Sequence, residues 1–422
     1  MFESRKRHQF FGEFRTLTPP SRSSLHRRRL LQTSLALGGL AGLEACANIA
    51  APSGIGAYRP RLAPIRARTD RIFDITVCLR PFRAAGPRLD AETIGSTLIV
   101  HNYGHGGSGW SLSWGSGTIA VKKAMMNSPR EVAVIGCGAL GLTSAILAQK
   151  AGAKVTIYAR EQLPQTRSSR ATGSFTPDSR IALADKASPE FPAMWEEMAR
   201  TSFKTFRSYL GLPGNPVQWI DRYVVVDHEP VRNDDEEPAA PDAPDTVEFA
   251  DYYRRIADLT PRRQLLTGGS TPFGNRTVWR HENLMFNIAD YGHTLMTDFL
   301  LAGGKFEYRD FHTPNEIARL KEKVVINCTG YGARDLWKDD TVMPVRGQIA
   351  WLIPQPEVNY GLYYKHINVL SRTDGICVQS LEGGDMRGYG DTNETPDRSE
   401  ADHVVNTIAP LFADFGGAKA GV

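Results

Sequence analysis

The residues best suited to chemistry form a glycine turn, Gly136-Cys137-Gly138-Ala139-Leu140-Gly141. Glycines at this spacing do a defined job. The first permits a tight turn, the second lets a pyrophosphate approach the backbone, and the third lets a following helix pack closely on the preceding strand. The N–H groups at the start of that helix then face the phosphates. A second glycine-rich turn, Gly104-His105-Gly106-Gly107-Ser108-Gly109, lies just upstream. No CxxC or comparable spacing joins the five cysteines, so neither structural zinc nor another metal site is expected.

The elements around the first turn are those such a site needs. Residues 132–135, Val-Ala-Val-Ile, read as a buried parallel strand. Residues 142–150 have helical composition and stop at Ala151-Gly152, and residues 154–158 are a second apolar strand. The second turn is flanked in the same way, by a strand at 98–102 and a helix at 110–126. Further strands are expected at 72–79 (ending at Arg80-Pro81), 218–227, 324–327, 346–354 and 375–380. Helices are expected at 191–210, 288–302 and 400–412. An acidic, proline-bearing stretch at 233–245 reads as an exposed loop.

At 422 residues, 41% hydrophobic and 23% charged, the chain has the composition of a soluble protein of two or three domains. Its net charge of +4 misleads. Residues 1–46 hold eight Lys and Arg against three Asp and Glu, an excess of five that leaves the rest at −1. The basic excess is therefore confined to a tail, and no nucleic-acid surface is expected. The tail has the order of an export signal: Arg27-Arg28-Arg29, an apolar run over 30–43, and small residues at Ala45-Cys46-Ala47. The arginines before two leucines resemble a twin-arginine signal, and residues 43–46 resemble a lipoprotein box. The expectation is an exported protein, periplasmic or membrane-anchored through Cys46, with residues 1–47 engaging export machinery and 48–70 a linker. Nothing in the sequence points to an oligomeric state.

Four stretches together, 132–142, 325–330, 79–90 and 100–110, resemble the D-amino-acid oxidase family of flavoenzymes, as does Arg346-Gly347-Gln348-Ile349. The order of the segments differs. In that family the glycine-rich strand opens the chain and the other two motifs close it; here they precede it. The resemblance thus implies a circularly permuted α/β fold, with an FAD-binding Rossmann-type domain (98–190 with 285–340) and a mixed-sheet α+β substrate domain (71–97 with 191–284 and 341–415).

The resemblance also implies roles. Gly136, Cys137, Gly138, Ala139, Leu140 and Gly141 would hold the FAD pyrophosphate, and Arg160-Glu161 the adenosine ribose. Ser168, Ser169, Arg170 and Ala171 would line the flavin and phosphates, with Thr329 and Gly330 beside them. Gly104, His105, Gly106, Gly107, Gly109 and Trp110 would lie along the isoalloxazine ring, Gly107 closest to the chemistry. Arg80 would take the substrate carboxylate, its planar fork matching two carboxylate oxygens. Tyr364 would cover the substrate, with Tyr363 as the neighbouring alternative, and Asn368 stands where the family has a second tyrosine. His101 and His105 would be structural or flavin-facing, and no general base is implied. The implied reaction is oxidation of a D-amino acid, with oxygen regenerating the flavin. A quinone or protein acceptor, or an FAD protein without catalysis, are the alternatives.

Overall fold

The computed structural model describes residues 61–227, 248–266, 271–413 and Phe415. The export signal, Cys46, the acidic loop and the C-terminal tail lie outside the described residues.

Among the described residues, fourteen strands form two sheets. In chain order they are β1 (Ile72–Arg83), β2 (Ala91–Ile94), β3 (Thr97–His101), β4 (Glu131–Ile135), β5 (Lys154–Ala159), β6 (Val217–Val226), β7 (Gln264–Leu266), β8 (Thr277–Phe286), β9 (Lys305–Tyr308), β10 (Val324–Asn327), β11 (Val342–Leu352), β12 (Tyr360–Tyr364), β13 (Ile367–Arg372) and β14 (Gly375–Ser380). One sheet has the order β2-β3-β10-β4-β5-β9. All its pairs are parallel except the edge pair β2–β3. Its central strands read as unbroken apolar runs because helices or loops cover both faces. On one face lie helices α1 (Gly109–Ala124), α2 (Ala139–Lys150), α3 (Phe191–Phe206) and α4 (Ile288–Leu301), which share a large core with Val134, Ile157 and Ile326.

The second sheet has the order β1-β11-β14-β13-β12-β6-β8-β7 and is antiparallel except for β6–β12. The helix Arg398–Ile408 covers one face. Its buried residues Ala401, Val404, Val405 and Ile408 recur at helical spacing, and Asp397 caps it by accepting from Ser399 N–H at 2.8 Å.

Three expectations need correction. The strand at 72–79 does not stop at Arg80-Pro81: β1 runs on to Arg83, with Arg80 opposite Val345 and Pro81 opposite Pro344. It is an edge strand, where a proline without an N–H costs no ladder bond. Residues 61–68 are no mere linker. Ile65 and Ala67 are buried with Ile408 and Leu411, and the Tyr360 hydroxyl donates to Ala63 O at 2.8 Å. Finally, β2 pairs with β3, so residues 91–94 belong to the parallel sheet and not with β1.

Candidate active site

A cavity of about 2300 Å³ opens between the two sheets, lined from the C-terminal ends of β4, β5 and β10 on one side and the uncovered face of the second sheet on the other. Open α/β sheets bind ligands at the carboxyl ends of their strands for this geometric reason.

The β4–α2 turn lies at the cavity wall, which Gly136, Cys137, Gly138, Ala139 and Leu140 all line. Gly136 has φ +103°, and a Cβ there would come within 2.5 Å of Cys328 O. A Cβ on Gly141 would meet Gly136 O at 2.0 Å, so only glycine lets α2 lie this close to the turn. Gly138 faces Ser168, whose hydroxyl accepts from Ala139 N–H at 3.0 Å at the open end of α2. Thr329 and Gly330 follow β10 into the same wall. Arg160 and Glu161 stand 3.7 Å apart past the end of β5, also on the cavity.

The second turn delivers His105, Gly106, Gly107, Gly109 and Trp110. A Cβ on Gly106 would overlap Arg180 O at 1.8 Å, and one on Gly107 would meet Ser179 Oγ at 2.4 Å. The N–H groups of these two glycines are taken by Pro81 O and Ser179 O, at 2.8 and 3.0 Å. The amides left for a ligand are therefore those of the first turn of α1. His105 is 1% exposed and neither ring nitrogen has a partner; burial holds its pKa down to about 3. Gly104 is not at the cavity. With φ +89° it makes room for the Arg83 side chain, 2.5 Å from where a Cβ would stand. His101 is also turned away, its ring held by Glu92 at 2.7 Å and by Asn327 at 3.0 Å.

Of the 168–171 loop, Ser168, Arg170 and Ala171 line the cavity. Ser169 does not: its hydroxyl turns back to the Pro164 and Thr166 carbonyls, closing the loop on itself.

Arg80 projects from β1 against Gly347 of β11, and donates to Arg346 O at 3.2 Å. Among the described residues it has no carboxylate at ion-pair distance. Burial, and then the nearby charge of Arg180, bring its pKa down to about 10, so it remains a cation. Asn368 of β13 lines the same floor. Tyr364 does not, and the tyrosine expectation is corrected by one residue. Alternate residues of a strand point to opposite faces. Tyr364 faces the core, 3% exposed, with its hydroxyl on Asp227 at 2.9 Å, whereas Tyr363 of β12 faces the cavity.

Several lining residues escaped sequence reasoning. Arg180, φ +50°, is held by Asp385 at 2.9 Å. Arg222 of β6 donates to Ser174 Oγ at 3.1 Å and to Asn368 Oδ1. His281 of β8, Gln379 of β14 and the partly buried Cys78 complete the floor. The alternation along β6 and β8 was the available signal, but only pairing with β12 says which face meets the cavity.

The site fits a flavin dinucleotide. The glycines leave room at both turns where a Cβ would intrude, His105 is buried with no partner, and the volume exceeds the 300–1,000 Å³ of ordinary small-molecule pockets. Sequence comparison agrees. The profile of the DAO family, FAD dependent oxidoreductase, matches residues 131–421. A D-amino-acid oxidase of Rubrobacter xylanophilus is 29% identical over 294 residues, covering 68% of this chain and 78% of that one. One of Streptomyces coelicolor is 28% identical over 297 residues, covering 68% and 80%. Among solved structures, glycine oxidase from Geobacillus kaustophilus aligns with a TM-score of 0.44 at 13% identity, covering 68% of this chain and 79% of that one.

Proposed function

The chain belongs to the DAO family of FAD-dependent oxidoreductases, and from that premise we propose that it oxidises D-amino acids to imino acids, with oxygen as the final acceptor. The observation that carries this reading is Arg80: a half-buried cation with no carboxylate at ion-pair distance among the described residues, in the same cavity as the dinucleotide turn. A substrate α-carboxylate supplies the missing partner through two parallel hydrogen bonds. Fixing that group also fixes Cα, which is what this reaction needs from the protein. When bound, FAD supplies the two-electron acceptor for the Cα hydrogen. Cα–H leaves with its electron pair, the neutral amine loses a proton, and C=N forms. Water then adds to the imine to give a 2-oxo acid and ammonia, and oxygen takes the two electrons and two protons as hydrogen peroxide. His105, neutral at any working pH, does not act here as a cation. Gly106 and Gly107 serve by leaving space.

The test is anaerobic bleaching of the flavin with a panel of D- and L-amino acids, followed by peroxide yield in air. Bleaching by D-enantiomers and stoichiometric peroxide are expected. Bleaching without peroxide would turn the reading to a dehydrogenase with a quinone or protein acceptor.

We propose in addition that the chain is circularly permuted and exported. The family profile matches only from Glu131 onward, at the strand that carries the glycine turn. Residues 71–126 supply β1 to one sheet, β2 and β3 to the other, and helix α1, which packs on the latter. Where β1 begins, Arg398 of the C-terminal helix donates to Thr69 O at 2.9 Å, and Phe412 packs into the same cluster as Leu62 and Ile72. The first turn of that helix thus touches the approach to β1, and the residues that follow it pack on the same apolar cluster as Ile72, which supports the permuted reading.

A further inference from the structure

The loop 166–171 lines the cavity beside the dinucleotide turn, and a distant segment holds it there. Residues 381–397 run from the end of β14 to the helix Arg398–Ile408, and Leu381, Asp385 and Glu394 of this segment line the same cavity. We propose that the segment is a strap that retains FAD, with Glu394 as its latch on Arg167. The latch requires the bound cofactor but no particular substrate, so it stands apart from the oxidation of D-amino acids.

The strap is fastened first to its own sheet. Arg346 of β11 donates from its backbone N–H to Gly388 O at 2.8 Å and from Nε to Asn393 O at 2.9 Å. At the far end, Asp397 N–H donates to Gln348 Oε1 at 2.7 Å. From that footing two carboxylates reach the chain between β5 and α3. Asp385 meets Arg180 at 2.9 Å. Glu394 takes Arg167 in a fork, at 2.7 and 2.9 Å, with Arg170 at 3.7 Å. Arg167 is in turn tied to the dinucleotide side. Its guanidinium lies over the Tyr331 ring at 5.2 Å, just past β10. The next residue, Ser168, accepts from Ala139 N–H at the start of α2. The pair therefore joins a segment anchored on the second sheet to the cavity wall beside the glycine turn, and the cofactor must displace that wall to leave.

A competitor for Arg167 and Arg170 would weaken flavin binding, by keeping two cations from the phosphates, whereas a latch slows release. The contacts favour the latch. Arg170 also donates to Val77 O at 3.0 Å, and Arg167 O accepts from the Cys78 thiol at 3.7 Å, so the loop is built onto β1 as well. Single ion pairs at a surface contribute little, but a forked pair backed by a second arginine is the arrangement in which they count.

The experiment follows flavin fluorescence as holoenzyme is diluted into flavin-free buffer with no amino acid present. Ionic strength is kept low, because the pair is partly exposed and salt would screen it. Glu394→Gln and Arg167→Met should each speed release about 5-fold or more, and Glu394→Asp should fall between Glu394→Gln and the native protein. The double variant should release flavin no faster than the faster single one, because both substitutions remove the same pair. Release that is unchanged or slower in Glu394→Gln, or single effects that multiply in the double variant, would overturn the latch. Either result leaves the D-amino-acid reading untouched, since flavin bleaching by substrate tests that separately.

Discussion

Arg80, His105 and His281 are where single side chains decide behaviour. Arg80→Ala should keep its flavin yet lose kcat/KM worth about 2–5 kcal/mol, because the substrate carboxylate is left buried without its partner. Arg80→Lys should restore only part, lacking the fork; stopped-flow flavin reduction checks both, and near-native rates in the Ala variant would remove Arg80 from the site. The histidines set a pH dependence of stability. Burial holds His105 down to about 3, and burial, then Arg222 and Arg263, hold His281 down to about 4, against an ordinary 6.5. Between pH 6.5 and those values the unfolded chain binds protons that the folded one refuses. Stability therefore rises with pH through that window and is lost as pH falls below 6.5. His281→Gln should flatten the slope of Tm against pH between 4 and 6.5; an unchanged slope would show that His281 titrates normally.

The two glycine turns act as elements, and their glycines are not equivalent. Gly141→Ala puts a methyl 2.0 Å from Gly136 O, so α2 must lift off the β4 turn. Lower Tm and loss of flavin should appear together. A Cβ on Gly109, at the start of α1, meets nothing in the protein within 4 Å. Gly109→Ala should therefore leave the Tm of the flavin-free protein unchanged, and a weaker flavin affinity in that variant would place the cofactor against α1. Calorimetry with flavin titration separates the two cases. An unaltered flavin affinity in Gly109→Ala would mean that the ring does not pass there.

At the scale of the molecule, chain order is the property to test. A rearranged chain beginning at Glu131, with Phe412 joined to Ile72 by a short linker and ending after Met126, should fold, purify yellow and retain the oxidation kinetics. This follows because the points to be joined already share one apolar cluster and exposed termini tolerate relocation. An insoluble or colourless product would argue that the present order is required. Export is tested in the full chain. Arg27→Lys with Arg28→Lys should retain the flavoprotein in the cytoplasm, and unchanged periplasmic activity would exclude the twin-arginine route.

Local pattern was enough for the dinucleotide turn, since strand, glycines and helix are contiguous and each glycine answers a short-range steric demand. It was enough too for β10 and β14, whose apolar runs are bounded by turn residues. It was not enough for β1, where Pro81 read as a terminator until pairing with β11 made it an edge residue. Nor could it orient Tyr363 and Tyr364, because a strand of apolar and aromatic residues carries no polar alternation to mark its inner face. Arg222 and His281 reach the floor of the cavity only because β12 pairs in parallel with β6, and β6 with β8. The β6–β12 contacts join residues 139 positions apart, and the β6–β8 contacts residues 51 to 69 apart. The cofactor cradle is thus a property of local sequence, while the substrate pocket is assembled by sheet pairing, and only the tertiary structure could say which charges share it.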